Sequence, residues 1–506
     1  MRPVRTVSMD IDAALGTRAS ARLAPAPPMV LRNCLRFDMR GSIRVDFPTS
    51  QAEGTMKNAI ALLTIALMAG CASEEPPASS TAIHYQGMNV IVGDGTTVIE
   101  NAGMIVDGGK IVALGPSADV EAPAGASHVD WTGRTIMPLL HSLHVHVGYL
   151  VGDGMAAENY SRESILADLD RHAHYGVGAV LVLGSDVGDI AFAIREDQRQ
   201  GHVGGAKLYT VGRGLTSVGG WPTIIAAIAA APQQVETEEQ AREAVRALAG
   251  QKADAVKVWV DDAGGRVPKI APELYEAAID EANQHGLKVY AHVYYLDDAK
   301  RLVEAGVSFL AHSIRDQEID DELIAMMRER GVGYIPTLVA HEASIAYADQ
   351  SDWIGEPAMR ETVDAGLIET LTSEAFVENA RANPGLAATR EQYAIALVNV
   401  KKLHDGGVTI GLGTDSGTTN RFPGYFEQRE IELLVDAGLT PNQAIAAATR
   451  NSAEALGLDG TLHVGAPAGF VLLRSDPLSD VRNTRDIEAV YFDGEKIDRA
   501  GGGASD

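Results

Sequence analysis

The stretch PLLHSLHVHVG, residues 138–148, decides how the rest of the chain is read. It is an apolar, strand-like run that ends in His144-Val145-His146. Successive side chains on a strand point to opposite faces, so His144 and His146 project together while Val145 and Val147 face the other way. Two neutral imidazoles on one face can share a cation. Such a pair asks for further ligands at the ends of other strands.

Seven more apolar runs suit strands: residues 179–183, 207–211, 255–260, 288–293, 308–312, 333–338 and 408–413. With 139–146 they make eight. Helical patterns separate most of them. One opens with the capping box Thr237-x-x-Gln240 and stops at Gly250. Another runs from Pro272 to Gly286, and a third from Asp297 to Gly306. Eight β/α alternations predict an α/β fold, a (β/α)₈ TIM-like barrel over residues 138–454. Residues 82–137 and 455–500 have a different texture, with short strands punctuated by glycines. Each piece is small alone, so the two are expected to form one β-sandwich. The long, helix-rich connection at 341–403 reads as a lid or substrate-binding insertion.

A barrel places its catalytic groups at strand C-termini. There the sequence puts Lys257 in DAVKVWVDD, His292 in KVYAHVYY, His312 in SFLAHS and Asp415 in GLGTDSG. Alternation sets Ala255, Lys257 and Trp259 on one face and Tyr290, His292 and Tyr294 on another. Four histidines and an aspartate form a nitrogen/oxygen site suited to Zn²⁺, or to Mn²⁺, Co²⁺, Fe²⁺ or Ni²⁺. His174, His202 and His341 fall outside this set and read as surface or core residues. Lys257 has two readings. An ammonium buried beside cations is disfavoured, and the neutral amine can add CO₂ to give a carbamate that bridges two metals. Alternatively its charge is paired with Asp261 or Asp262 and the site holds one metal.

The chain has 506 residues, 46% of them hydrophobic, and a formal charge of −26. The charge argues against nucleic acid or anionic lipid as a partner. Two cysteines exclude a disulfide framework. Cys71 ends the stretch MKNAIALLTIALMAGC, which starts at Met56 with Lys57 and an apolar core at 59–69. This reads as a secretory signal with a lipobox, although Met68 stands where Leu is commoner. Residues 56–81 are then a lipoprotein signal and linker, and Cys71 is the lipidation site. Residues 1–55, with Cys34, are expected to be an extension from a misplaced start codon. The enzyme would face the periplasm or cell exterior, touching the membrane only through its lipid anchor. A homo-oligomer is compatible with this reading.

From Ile83 to Ile497 the chain resembles the amidohydrolase superfamily, in its imidazolonepropionase-like and metal-dependent dipeptidase branch. The matching stretches are MPLLHSLHVH, VKVW, AHVYYLDDAKRLVEAGVSFLAHS, GLGTDSG and the closing GTLHVGAPAGFVLLRSDPLSDVRNTRDIEAVYFDGEKI. The resemblance implies one metal on His144, His146 and Asp415, a second on His292 and His312, and carboxylated Lys257 between them. The family opening usually has Gly after the Pro and Asp or Asn two residues before the first His. Here Leu139 and Ser142 stand there, with His141 as an extra imidazole. Near the end, Ala466 and Gly469 replace the usual Lys and Asp.

The expected function is hydrolysis of an amide or peptide bond in a small molecule, a dipeptide or N-acyl amino acid, by water activated between two divalent ions, with Zn²⁺ as the expected ion. Asp415 is the general base and acid. The alternatives are a one-metal deaminase or cyclic-amide hydrolase, an ester or lactone hydrolase, and a non-catalytic scaffold. Arg213 and Arg315 are candidates for holding a substrate carboxylate, with Tyr294, Tyr295, Trp221 and Trp259 as pocket residues.

Overall fold

The computed structural model describes residues 81–499 apart from residue 153, together with two short strands, Leu35–Phe37 and Ile43–Val45, which pair antiparallel. The signal-like segment up to residue 80, with Cys71, lies outside the described residues.

Two parallel sheets form the centre. One orders Lys207–Thr210, Val177–Val182 and Leu140–Val145. The other orders Gln233–Val235, Leu215–Ser217, Val256–Val260, Val289–Val293, Phe309–Ala311 and Gly333–Ile335. Backbone bonds join their edges. Asp254 N–H donates to Thr210 O at 2.9 Å, and Gly214 N–H to Gly184 O at 3.2 Å. On the other side, Tyr334 N–H reaches Thr409 O at 2.9 Å and Leu143 N–H reaches Leu412 O at 2.8 Å.

Seven of the eight expected strands are present, within a few residues of their expected limits. The run at 333–338 ends early, at Ile335, because Pro336 has no N–H to donate and Thr337 turns to φ 47°. The run at 408–413 is extended but makes only isolated bridges, Ile410 to Tyr334 and, beyond it, Ser416 to Val145. Its glycines explain this. A Cβ at Gly413 would lie 2.5 Å from Ile335 and 2.8 Å from the His144 Cβ. The segment trades regular pairing for close approach to His144.

Both faces of these strands are buried, as parallel sheets require. Val256, Val258, Val260, Val289, Ala291 and Val293 belong to the large core shared with the helices. Ala255, Tyr290, Leu143, Leu181, Ala311 and Ile335 form a separate inner cluster. Each buried valine contributes roughly 1.5–3 kcal/mol. The helices follow the sequence: Glu238–Gly250, Pro272–Gln284 and Leu296–Ala305, the last stopped by Gly306 at φ 95°. Thr237 caps the first, accepting from Gln240 N–H at 3.2 Å, but the Gln240 side chain accepts from Glu236 N–H, not from that of Thr237.

The expected sandwich segments combine in a single mixed sheet of eight strands. Its order is Glu495–Lys496, Ile487–Phe492, Phe470–Leu473, Thr135–Pro138, Ile83–Ile91, Val98–Asp107 and Lys110–Pro116, with Ser127–Asp130 also on Ile83–Ile91. The sheet curls, so that Ile111 N–H donates to Ala466 O and Ala468 N–H to Gly109 O. Rings fill the curl: Tyr85 stacks on Trp131 at 4.0 Å and Phe470 on Tyr491 at 4.6 Å. Thr135–Pro138 runs directly into Leu140–Val145, so this sheet anchors the strand that carries the histidine pair.

Candidate metal centre

Between Ser142 and Val145 the strand Leu140–Val145 gains one residue against its neighbour, for Ser142 faces Val180 and Val145 faces Val182. This bulge lets Leu143 pack inward while His144 and His146 also turn inward, as alternation within the pair predicts. His146 Nε2 lies 2.9 Å and His144 Nε2 3.3 Å from Asp415 Oδ1. Potential ligand atoms of these three residues all fall within 4.8 Å of one another. Burial alone would raise the Asp415 pKa, but hydrogen bonds from His144 and His146 hold it well below the usual carboxylate range. Burial, with Lys257 nearby, pushes His144 down to about 3, so it is neutral and able to ligate. Gly417 lies at φ 82° against the His146 carbonyl, where any Cβ would collide at 1.5 Å.

A second group adjoins the first. The His144 and His312 ring centres are 4.5 Å apart, and those of His292 and His312 4.3 Å. One nitrogen of each ring is tied: His146 Nδ1 to Ser185 Oγ at 2.7 Å, His292 Nε2 to Asp261 Oδ2 at 2.8 Å, His312 Nδ1 to Thr337 Oγ1 at 3.0 Å. The other nitrogen of His146 meets Asp415, and those of His292 and His312 are left for a ligand, an arrangement that fixes tautomer and ring direction in metal sites. His312 and Asp415 both hold left-handed backbone, φ 71° and 60°, at roughly 1–3 kcal/mol each.

Lys257 is fully buried and its Nζ has no hydrogen-bond partner. Pairing with Asp261 or Asp262 does not occur: Asp261 is occupied by His292, and Asp262 accepts from Tyr295 OH at 2.8 Å. Burial pulls the amine down to about 7, with Asp415 partly opposing. Gly184 and Gly214 make room for the lysine stem, since a Cβ at either would lie 2.9–3.0 Å from its Cγ. A buried amine without a hydrogen-bond partner, near four imidazoles and a carboxylate, fits a divalent-cation centre.

A cavity of about 310 Å³ opens over these groups. Of the substrate residues expected from sequence, Arg315 and the rings of Trp221 and Trp259 line it. Arg315 donates to Ser313 O at 2.7 Å, sits over the Tyr294 ring at 4.5 Å, and leaves its Nε unpartnered. Tyr294 supports that guanidinium and is not among the lining residues. Arg213 is elsewhere: its guanidinium donates to the carbonyls of Ala230, Ala231 and Pro232. It fastens a loop and does not face the cavity. Two lining residues escape the sequence reading. His341 is neither surface nor plain core, for its Nε2 is buried without a partner and the ring edges the cavity. Burial, with Arg315 and Arg421 beside it, keeps its pKa well below the ordinary value. Arg421 donates to Asp415 Oδ2 at 2.7 Å and to Ala340 O at 3.0 Å. Each lies six residues beyond Ile335 or Asp415, His341 in the first turn of helix Val339–Asp349 and Arg421 in the loop before helix Tyr425–Asp436, and this placement past the ends of the runs was the available signal.

Behind the first group lies a buried polar network. Glu427 accepts from Thr414 Oγ1 at 2.6 Å, Ser416 Oγ at 2.9 Å, Ser142 Oγ at 3.2 Å and Gly424 N–H at 2.7 Å. Thr414 and Ser416 flank Asp415, and Ser142 precedes His144 by two. One helix carboxylate thus binds both strands that supply the trio.

The amidohydrolase family profile matches residues 135–497. The chain belongs to the amidohydrolase family. It is an enzyme acting on carbon–nitrogen bonds. Among its relatives, an uncharacterised protein of Mycobacterium tuberculosis is 28% identical over 328 residues, 61% of this chain and 78% of that protein. An imidazolonepropionase of Geobacillus is 25% identical over 409 residues, covering 74% and 84%. The crystal structure of a putative prolidase from Bifidobacterium longum superposes with a TM-score of 0.64 at 26% identity, over 83% of this chain and 95% of that one.

Proposed function

We propose that this amidohydrolase is a two-metal hydrolase of amide bonds whose leaving amine bears a carboxylate, as in a dipeptide or N-acyl amino acid. The observation that carries the reading is Lys257, a buried amine without a partner beside imidazoles. Attack of its neutral nitrogen on CO₂ forms an N–C bond and releases a proton, giving an anion with two oxygen ligands. Divalent ions, Zn²⁺ by the nitrogen-rich donor set, held by His144, His146, Asp415, His292, His312 and that carbamate, would acidify a water and polarise the scissile carbonyl. Asp415 takes the water's proton and passes it to the departing amine. Arg421 orients Asp415 through Oδ2, leaving Oδ1 toward the histidine pair. Arg315 and Arg421 offer guanidinium donors to the substrate carboxylate.

The reading has organisational parts. The parallel strands with segment 409–416 are proposed to close as a (β/α)₈ barrel. Cys71 is proposed as a lipid anchor of an exported protein. Replacing Cys71 by Ser should then move the protein from the membrane fraction to the soluble one.

Metal analysis of dialysed protein tests the centre. Two ions per chain, falling to one in Lys257→Ala, support it; one ion in both proteins refutes it. A one-metal deaminase or cyclic-amide hydrolase is favoured by a different observation. Among the described residues, only His144, His146 and Asp415 come within mutual ligand reach. The same stoichiometry separates the two.

A further inference from the structure

The cavity over the metal centre is divided by chain segment. Its apolar wall comes from Met155 and from Trp221, Ile225 and Ile228 of one loop. That loop is held in place. Arg213 grips its far end through three carbonyls, Thr223 Oγ1 donates to Gly220 O at 2.7 Å, and Gly219 N–H donates to Gln234 Oε1 at 2.8 Å. Ile228 packs with Tyr149 and Ala231 in a small core, so the wall has a backing. The Trp221 ring centre stands 6.2 Å from that of His292, which brings the wall up to the reacting centre. The cationic wall comes from later segments, as the guanidinium groups of Arg315 and Arg421.

The decisive feature is the charge of the lining. Among the described residues that line the cavity, Asp415 is the sole carboxylate, and it is already engaged by His144, His146 and Arg421. A free dipeptide brings two charges: a carboxylate on the leaving side and an ammonium next to the scissile carbonyl. The carboxylate finds guanidinium partners. The ammonium finds an apolar wall, cationic side chains and the metal centre, and an unpaired cation there is strongly disfavoured.

We propose that the acyl half of the substrate is apolar and carries no free amine, so that the enzyme acts on N-acylated amino acids with aryl or long alkyl acyl groups in preference to free dipeptides. This rests on the amide-hydrolase reading above and narrows it. Trp221 is the specificity-determining side chain for the acyl group, and Arg213 is a positioning residue that acts through the loop.

Two substrates that differ only in the α-amine test it: 3-phenylpropanoyl-leucine and phenylalanyl-leucine. Released leucine is measured with the metal-loaded full chain. The expected kcat/KM is higher for the acylated compound by about tenfold or more. In Trp221→Ala the preference for 3-phenylpropanoyl-leucine over acetyl-leucine should fall about tenfold, with the circular dichroism spectrum and metal content as checks on folding. Ile225→Ala, a milder truncation of the same wall, should lower that preference in the same direction. A dipeptide cleaved as fast as its des-amino partner overturns the inference and leaves the amide-hydrolase reading standing. An unchanged preference in both wall variants overturns it as well. Cleavage of none of the three compounds by metal-loaded protein brings down the amide-hydrolase reading, and this inference with it.

Discussion

The two halves of the metal centre are stabilised in different ways. His144, His146 and Asp415 satisfy one another: the carboxylate sits between two imidazoles, with Arg421 in front and the Glu427 network behind. Lys257, His292 and His312 do not. The histidines lean on Asp261 and Thr337, while the lysine amine has no hydrogen-bond partner. One half pairs its carboxylate fully, with only His144 Nδ1 left without a hydrogen-bond partner. The other has its anion, Asp261, on the far side of His292 and none bonded to the lysine amine, and a carbamate on Lys257 would supply one there. The contrast teaches where a local defect in polar pairing marks chemistry still to be added.

The largest expected effect tests the complete half. Asp415→Asn should keep the protein folded and lower kcat on the order of 10³-fold. Near-normal turnover in that variant would break the assignment of the proton-transfer role.

Next comes the incomplete half. Lys257→Met removes the orphaned amine, and on the proposed chemistry kcat should fall about 10²-fold as the bridging ligand is lost. The metal-free protein responds differently. With the folded pKa near 7 and the ordinary value at 10.5, the unfolded chain binds a proton in that window that the folded chain does not. Stability therefore rises with pH from about 7 to about 10, and the burial penalty is present in full below that window. Urea unfolding of metal-free protein at pH 7 and pH 9 should show this gain in the wild type and a smaller one in Lys257→Met. Equal gains would mean that the amine is not isolated.

A third experiment sharpens the comparison by weakening the backing of the complete half. Glu427→Gln replaces a buried acceptor of four hydrogen bonds by a neutral amide and should cost on the order of 2–3 kcal/mol, read from thermal or urea unfolding. The smallest effect is expected from Arg213→Lys, which loses the fork that grips three carbonyls. KM should rise about threefold with kcat unchanged. A loss confined to kcat would contradict its role as a loop anchor.

Much of the centre was legible because strand alternation and strand ends are written locally. Lys257 and Trp259 share a face, His292 lies inward with Tyr290, and His312 and Asp415 end their runs as the pattern requires. The helix Tyr425–Asp436 was not legible. Its Glu427, Gln428, Glu430 and Glu432 would suit a solvated face, yet all are buried. Their partners explain it and lie far away in the chain: Ser142 for Glu427, the Tyr175 carbonyl for Gln428, and the Leu338 and Val339 N–H groups for Glu430. No local period encodes such bonds. His341 and Arg421 were missed for a related reason: they lie past the strand ends, one at the start of helix Val339–Asp349 and one in a loop, where strand alternation does not point a side chain. The bulge at Leu143 was hidden because a one-residue register slip leaves no mark in composition.

The curled sheet has a consequence for truncation of the chain. Phe470–Leu473 pairs with Thr135–Pro138, the lead-in to the histidine pair, so a strand more than 320 residues later in the chain braces the first ligand-bearing strand. A chain cut before Phe470 would leave Thr135–Pro138 without that neighbour and the histidine-bearing strand with one edge less firmly held.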